Sequence, residues 1–416
     1  MRPNYKDGLV EVWVIDALRT PRGIGKAGKG ALSGMHSQEI LAGVLSALRD
    51  QIGFDTADID DIMIGCGTQS GQQGYCLARM AALSAGYADA APGMMVERFC
   101  GSGLTAFNLG AMAILSGAQD LVIAGGVEMM SYTAGLPRPP LLDADNVVLR
   151  AHRPQFAQGI AADIIATHEG FSRIDIDAYA AESHRRAAEA VKGGAFRSVV
   201  PVRDAAGNIV LNHEQLLRPG TTAEGLGQLP ASFPPYMDRQ VADDGTSQRS
   251  LVERAFPGIV IDHVHHAGNS SGVADGAAAI LLASPDYARA HGLKPRAKVR
   301  SIAVAGDSPE LMLNAPVPAA RKALAMAKMD IGDIDLFEVN EAFAAIPMKF
   351  QRDLDIDPAL VNVNGGAIAL GHPIGATGAM LIGTILDELE RRDQTTGLIT
   401  LCTGGGMAPA TIIERI

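Results

Sequence analysis

Short apolar runs that suit buried strands alternate with amphipathic runs along most of this chain, and glycines stand at nearly every junction. In the first third, "VEVWVID" precedes "SQEILAGVLSALRDQI", and "IDDIMIG" precedes "CLARMAALSAG". "GMMVE" then precedes the run that starts at Cys100 and leads on to "DLVIAGGVEMM". Strand and helix alternating at this spacing predict a layered α/β fold. The last third repeats the scheme, from "AKVRSIAVAG" and "PAARKALAMAKM" through "IDLFEVN", "EAFAAIPMKFQRDL" and "VNVNGG" to "ATGAMLIGTILDELERR" and "GLITLCTGGGMAPATIIER". The register is similar in both thirds: Cys100 lies 25 residues before Gly125, and His372 lies 30 before Cys402. This pattern predicts an internal duplication.

Between the two thirds, Ser131 to about Ile261 changes character. It is rich in Pro, Arg and Asp and carries one clear helical run, "DIDAYAAESHRRAAEAVKGG". An inserted loop or lid domain fits it better than a third core layer.

With 416 residues, 47% of them apolar and 19% charged, the chain can bury a substantial core in two or three domains. Its formal net charge of −11 argues against a general nucleic-acid partner, yet leaves room for a local basic pocket that takes one phosphorylated small molecule. The N-terminal stretch has no apolar signal-peptide core, and no apolar run reaches membrane-spanning length. A cytoplasmic protein without membrane insertion is expected.

The four cysteines, Cys66, Cys76, Cys100 and Cys402, are widely spaced with no CxxC, so neither a zinc knuckle nor a disulfide scaffold is indicated. A free thiol is most often a small buried hydrophobe. Cys100 is placed for more. Leu104, Phe107, Ala111 and Leu115 recur behind it at helical spacing, which sets the thiol at the mouth of a helix. There, unpaired backbone N–H groups and the helix dipole favour a thiolate, and Gly101 and Gly103 leave room for a substrate to approach the backbone.

A nucleophile needs a base. His372, in "NGGAIALGHPIGATGA", sits between two glycine-rich turns just before another helix, either as a structural histidine or presenting a ring nitrogen to a neighbouring thiol. Cys402 closes an apolar strand and opens a triple glycine, which makes a hairpin turn or aims backbone N–H groups at a bound oxygen. Asn340, in "FEVNEAFA", either caps the next helix or orients a water or carbonyl.

Taken in order, "VIDALRTPRG", "CGSGLTAFNLGAMAI", "AGNSSGVADGAAA", "NEAFA", "GGAIALGHPIGATGA" and "CTGGG" closely resemble the thiolase family, the acyl-CoA acetyltransferases. The resemblance implies a thiolase fold: duplicated mixed five-stranded sheets in an α-β-α-β-α sandwich, with an inserted loop domain that helps hold coenzyme A. Residues 1–130 would form the N-terminal half, rejoined by 262–285, with the loop domain over 131–261 and the C-terminal half over 286–416. Carried over by motif, Cys100 is the nucleophile that becomes acylated, and His372 is the base that activates it. Cys402 is the second cysteine, which exchanges a proton with the α-carbon of acetyl-CoA. Asn340 holds a water beside His372 for a first oxyanion site, and the backbone N–H groups of Cys100 and Gly404 form a second. Ser271 touches the pantetheine arm, and Ala267, Met312 and Phe343 line its tunnel or the acyl pocket.

The implied reaction is reversible: acyl-CoA and acetyl-CoA give 3-oxoacyl-CoA and free CoA through an acyl-cysteine. It belongs to fatty acid metabolism of the β-oxidation type. Coenzyme A thioesters are substrates, no cofactor is permanently bound, and family habit gives a homodimer or homotetramer. A hydrolase would need only the first cysteine, so Cys402 argues for Claisen chemistry. The competing readings are a ketoacyl synthase-like condensing enzyme, which typically uses two histidines, and a non-catalytic acyl-CoA-binding subunit.

Three features depart from the family pattern. Gln158 stands where a Met is frequent. "IDHVHH" replaces a Thr-Val-Thr strand, and its alternating His263 and His265, followed by His266, find no further ligand to support a metal. "QLPASF" lacks the usual basic residue, and 236–256 reads as an insertion, which leaves Arg218, Arg239, Arg249 and Arg254 as candidates for holding the nucleotide.

Overall fold

The computed structural model describes residues 11–137 and 141–416; the first ten residues of the expected N-terminal half, and 138–140 of the middle segment, lie outside it. Twelve strands follow in chain order: β1 (Trp13–Arg19), β2 (Gly23–Ile24), β3 (Asp61–Gly65), β4 (Met94–Val96), β5 (Leu121–Met129), β6 (Val202–Arg203), β7 (Ile209–Leu211), β8 (Ala274–Ala283), β9 (Ala297–Gly306), β10 (Leu336–Val339), β11 (Thr396–Thr400) and β12 (Met407–Arg415). Apart from the β6–β7 hairpin they share one mixed sheet, in the order β10-β11-β12-β9-β1-β8-β5-β3-β4, with β2 beside β8.

That sheet divides into two by its pairing. β1 runs along β8 but meets β9 only at Trp13 and Val14. On one side β3 is parallel to β5, which is antiparallel to β8, which is antiparallel to β1. On the other, β10 is parallel to β11, which is antiparallel to β12, which is antiparallel to β9. The duplication expected from the glycine pattern is therefore present as a repeated topology.

The repeat is unequal at one edge. β4 lies parallel to β3, but "VNVNGG" yields only a single bridge, Val361 to Phe337, where a strand was expected. Asn362 explains the difference. Its backbone turns left-handed, at φ 48°, and its carboxamide takes over the pairing. Oδ1 accepts from Val339 N at 2.8 Å, and Nδ2 donates to Val339 O at 2.8 Å.

Three apolar layers hold the sheets. The helices Ser37–Ile52 and Leu77–Ser84 pack on the first half, and the helix Pro316–Ala327 packs on the second. Between the halves lie the helices Ser102–Leu115 and Ile374–Arg392, following Cys100 and His372. A middle helix must be apolar all round. Accordingly Ser102 through Asn108 are all buried, whereas Leu115, expected on a single buried face, is exposed and Ile114 takes its place. Full burial of Leu104 and Phe107 contributes about 1.5–3 kcal/mol each.

The middle segment holds more regular structure than expected. Beside the helix read from periodicity (Arg173–Lys192), Gln158–Glu169, which the resemblance implies, and Gln248–Ala255 are helical. The first of these is almost wholly buried, so it lacks the polar face that marks an amphipathic helix in sequence.

Candidate active site

Cys100 and His372 hold equivalent places in the duplicated topology. Each follows the outer edge of its half-sheet and precedes one of the two central helices. The helices approach through glycines: a Cβ on Gly103 would lie 2.7 Å from Gly375 O, and one on Gly378 would lie 2.4 Å from Leu104 N. A Cβ on Gly101 would lie 2.5 Å from Thr403 Cγ2. These glycines thus make room for the protein's own chain, where the sequence suggested room for substrate.

The Cys100 turn is tightly built. Phe99 adopts φ 47°, and Ser102 Oγ donates to Phe99 O at 2.6 Å while accepting from Arg98 N at 2.9 Å. The start of the His372 helix packs directly on this turn. Cys100 is buried, and its environment does not favour the thiolate expected at a helix N-terminus. Burial and the Glu128 carboxylate push the thiol up to about 12, against the pull of its own backbone N–H and of Gln158. Glu128 is itself held in place by Gly67 N at 2.7 Å and Gly375 N at 2.9 Å. Activation therefore falls to a base.

His372 has the properties of that base. Burial, helped by the Arg22 charge, drives its pKa down to about 3, so the imidazole is neutral at physiological pH. Nδ1 lies 2.6 Å from Thr377 Oγ1, which lies 2.9 Å from Pro373 O. The carbonyl can only accept, so the Thr377 proton points to it, and the 2.6 Å contact needs the proton on Nδ1. Nε2 is left unprotonated, its lone pair accepting a long bond from Asn340 Nδ2 at 3.5 Å. Thr377, five positions beyond His372, gave no signal in the sequence.

Asn340 caps nothing: the next helix starts at Ala345 with Ala344 as its N-cap. Its backbone N–H bonds Thr400 O at 3.1 Å, and its buried Oδ1 has no partner among the described residues. The following Glu341 anchors the loop, accepting from Ser183 Oγ (2.7 Å), Tyr179 Oη (3.0 Å) and Ile368 N (3.1 Å). Cys402 follows β11 and is fully buried, and its thiol is raised by burial and by the nearby Cys100. The triple glycine beyond it is a hairpin turn with Gly405 and Gly406 both at φ 77°.

A cavity of about 550 Å³ opens over Cys100, and Gly404, Met312 and Gln158 share its wall. Phe343 is buried in the same apolar cluster as Met312 and Cys402, and its segment pairs with the "AGNSSG" loop, where Ser271 N bonds Ala342 O at 2.9 Å. Ala267, in that loop, is exposed.

The histidine run is occupied structurally. His263 and His265 both face Asp163, at 2.6 and 2.7 Å, and His266 faces Asp177 at 2.9 Å. Among the described residues no group of three or more His, Cys, Asp or Glu could hold a metal. Of the four arginines, Arg249 pairs with Asp238 at 2.8 Å and Arg254 donates to Arg150 O at 3.3 Å.

A duplicated α/β fold with a buried cysteine on the wall of a cavity, a second buried cysteine near it and a buried neutral histidine at the equivalent turn fits an acyl-transferring enzyme that works through sulfur. Family models agree: the thiolase N-terminal domain matches residues 12–236 and the thiolase C-terminal domain 293–415, so the chain belongs to the thiolase family. It is 37% identical to the steroid 3-ketoacyl-CoA thiolase of Mycobacterium tuberculosis, over 98% of this chain and 95% of that one. The 3-ketoacyl-CoA thiolase of Bacillus subtilis is 37% identical over 98% and 100% of the two chains. The β-ketoadipyl-CoA thiolase of Pseudomonas knackmussii is 38% identical over 98% and 99%. The crystal structure of human mitochondrial 3-ketoacyl-CoA thiolase superposes with a TM-score of 0.83 at 30% identity, covering 98% of this chain and 99% of that one. The chain is thus a thiolase, an acyltransferase acting on acyl-CoA and CoA. Neither the ketoacyl synthase reading nor the non-catalytic one finds support. Among the described residues no helix is long and apolar enough to cross a membrane.

Proposed function

We propose that this thiolase cleaves and forms 3-oxoacyl-CoA through an acyl-Cys100 intermediate, with His372, Cys402, Asn340 and Gly404 completing the machinery. The observation that carries the reading is the His372 ring: neutral, held by Thr377 at 2.6 Å, its unprotonated nitrogen accepting from Asn340 at 3.5 Å.

In the degradative direction, His372 Nε2 takes the Cys100 proton as the sulfur attacks C3 of the 3-oxoacyl group. The C2–C3 bond then breaks, and C2 takes a proton from Cys402, releasing acetyl-CoA. The Cys402 thiolate next takes the proton of incoming CoA, whose sulfur attacks the acyl-Cys100 thioester. As the acyl-CoA leaves, His372 returns its proton to Cys100. Developing oxyanions would be met by a water on Asn340, whose Oδ1 has spare capacity, and by the N–H groups of Cys100 and Gly404. In this reading Met312 and Phe343 border the acyl and pantetheine space, and Ser271 and Ala267 the CoA arm. The 131–261 segment serves as the loop domain between the halves 1–130, rejoined by 262–285, and 286–416.

The same reading includes a cytoplasmic homodimer or homotetramer. Support for assembly comes from the edge strand β4 and its surroundings, where Tyr75 is 90% exposed and Met94, Met112 and Leu115 are also open. The test is loss of 3-oxoacyl absorbance when the protein meets acetoacetyl-CoA and CoA, repeated with Cys100→Ser and Cys402→Ser. Activity in the wild type and its loss in both variants supports the mechanism. Undiminished turnover by Cys402→Ser removes the second cysteine from it.

A further inference from the structure

The wall of the Cys100 cavity is of two kinds. Leu142, Phe156, Met312 and Ile374 are apolar, while Gln69, Ser70 and Glu97 bring polar groups from the open side and Gln158 brings a carboxamide from within. Gln158 cannot swing away with its backbone. It opens the helix Gln158–Glu169, Ala157 before it is pinned by Gln248 Oε1 at 2.8 Å, and a Cβ on Gly159 behind it would lie 1.9 Å from the Phe233 ring.

Among the described residues the Gln158 carboxamide has no partner except Cys100. Sulfur is a weak partner, and it becomes a weaker acceptor once it carries an acyl group. Acylation therefore leaves a half-buried amide, two donors and an acceptor, beside the new thioester with no other partner among the described residues. An alkyl chain would cover that amide and leave it unpaired; a hydroxyl or carbonyl a few bonds along the chain would satisfy it. A carboxylate would not fit as well, because it would share the wall with the Glu97 carboxylate.

We propose that this site is selective for acyl groups bearing an uncharged hydrogen-bonding substituent close to the thioester, and that Gln158 reads it. The inference rests on the acyl-Cys100 reading. Three 3-oxoacyl-CoAs of equal chain length test it: 3-oxohexanoyl-CoA, 5-hydroxy-3-oxohexanoyl-CoA and 3-oxoadipyl-CoA, compared by kcat/KM of thiolysis in the wild type and in Gln158→Leu. The hydroxylated substrate should exceed the plain one on the order of tenfold in the wild type, with the dicarboxylic one lowest. Gln158→Leu should abolish or reverse the first preference. A merely structural role would lower all three values together and leave the ratios standing, which would overturn the proposal, as would a wild type that prefers the plain chain. If none of the three is cleaved and Cys100 takes up no acyl group, the underlying reading falls and this inference with it.

Discussion

Replacing Thr377 with valine keeps the shape of the side chain and removes the one acceptor that holds His372 Nδ1–H, at 2.6 Å in a fully buried site. Two consequences compete. If the ring keeps its tautomer, a buried N–H is left without a partner, at a cost of about 1–3 kcal/mol. If it changes tautomer, the proton moves to Nε2, and Asn340 can turn its unpartnered Oδ1 to accept it. That arrangement is satisfied but cannot take the Cys100 proton. Either way the reactive form is disfavoured, and kcat/KM should fall about 5- to 150-fold. The assay is thiolysis of a 3-oxoacyl-CoA by wild type, Thr377→Val and Thr377→Ser, with thermal melts to show that all three are folded. Serine restores the acceptor and should recover most of the loss. Wild-type kcat/KM in Thr377→Val, or a serine variant as impaired as valine, would refute the argument.

Other consequences concern pH and packing. His372 titrates near 3, below the ordinary 6.5, and loses its function as base on gaining a proton; the acid limb of kcat/KM should therefore fall well under pH 6, and an inflection at 6–7 would contradict a desolvated His372. A Cβ at Gly375 would sit 2.6 Å from Cys66 Cα and 2.7 Å from Val127 O, backbone that cannot yield, so Gly375→Ala should lower the melting temperature sharply or prevent folding. Asn362→Ala removes two bonds to the β10 backbone and one each, at 3.2 Å, to Glu341 and Tyr179, which should cost about 2–3 kcal/mol in chemical denaturation and lower turnover through Asn340.

Much of this was legible in the sequence because the fold is built on local patterns repeated twice. The strand–glycine–helix order around Cys100 and His372 gave both the layers and the duplication, and the apolar run of β5 had no polar side to confuse it. What escaped was set by tertiary context. Asn362 replaces a strand by side-chain bonds, which no strand propensity can express. The burial of the helix Gln158–Glu169 hid its periodicity, so that only the resemblance pointed to it. The Cys100 thiol looked activated because the helix dipole is visible in sequence, whereas the opposing burial and Glu128, 28 residues further along, are not. Thr377 matters only through a 2.6 Å contact.

The central claim is that Cys100 carries the acyl group, and the direct measurement is intact-mass and peptide-map analysis after mixing the protein with an acyl-CoA in the absence of a second substrate. The account predicts one acyl adduct on the Cys100 peptide, present in the wild type, slower to form in Cys402→Ser and missing in Cys100→Ser. An adduct on another residue, or none in the wild type, would contradict it.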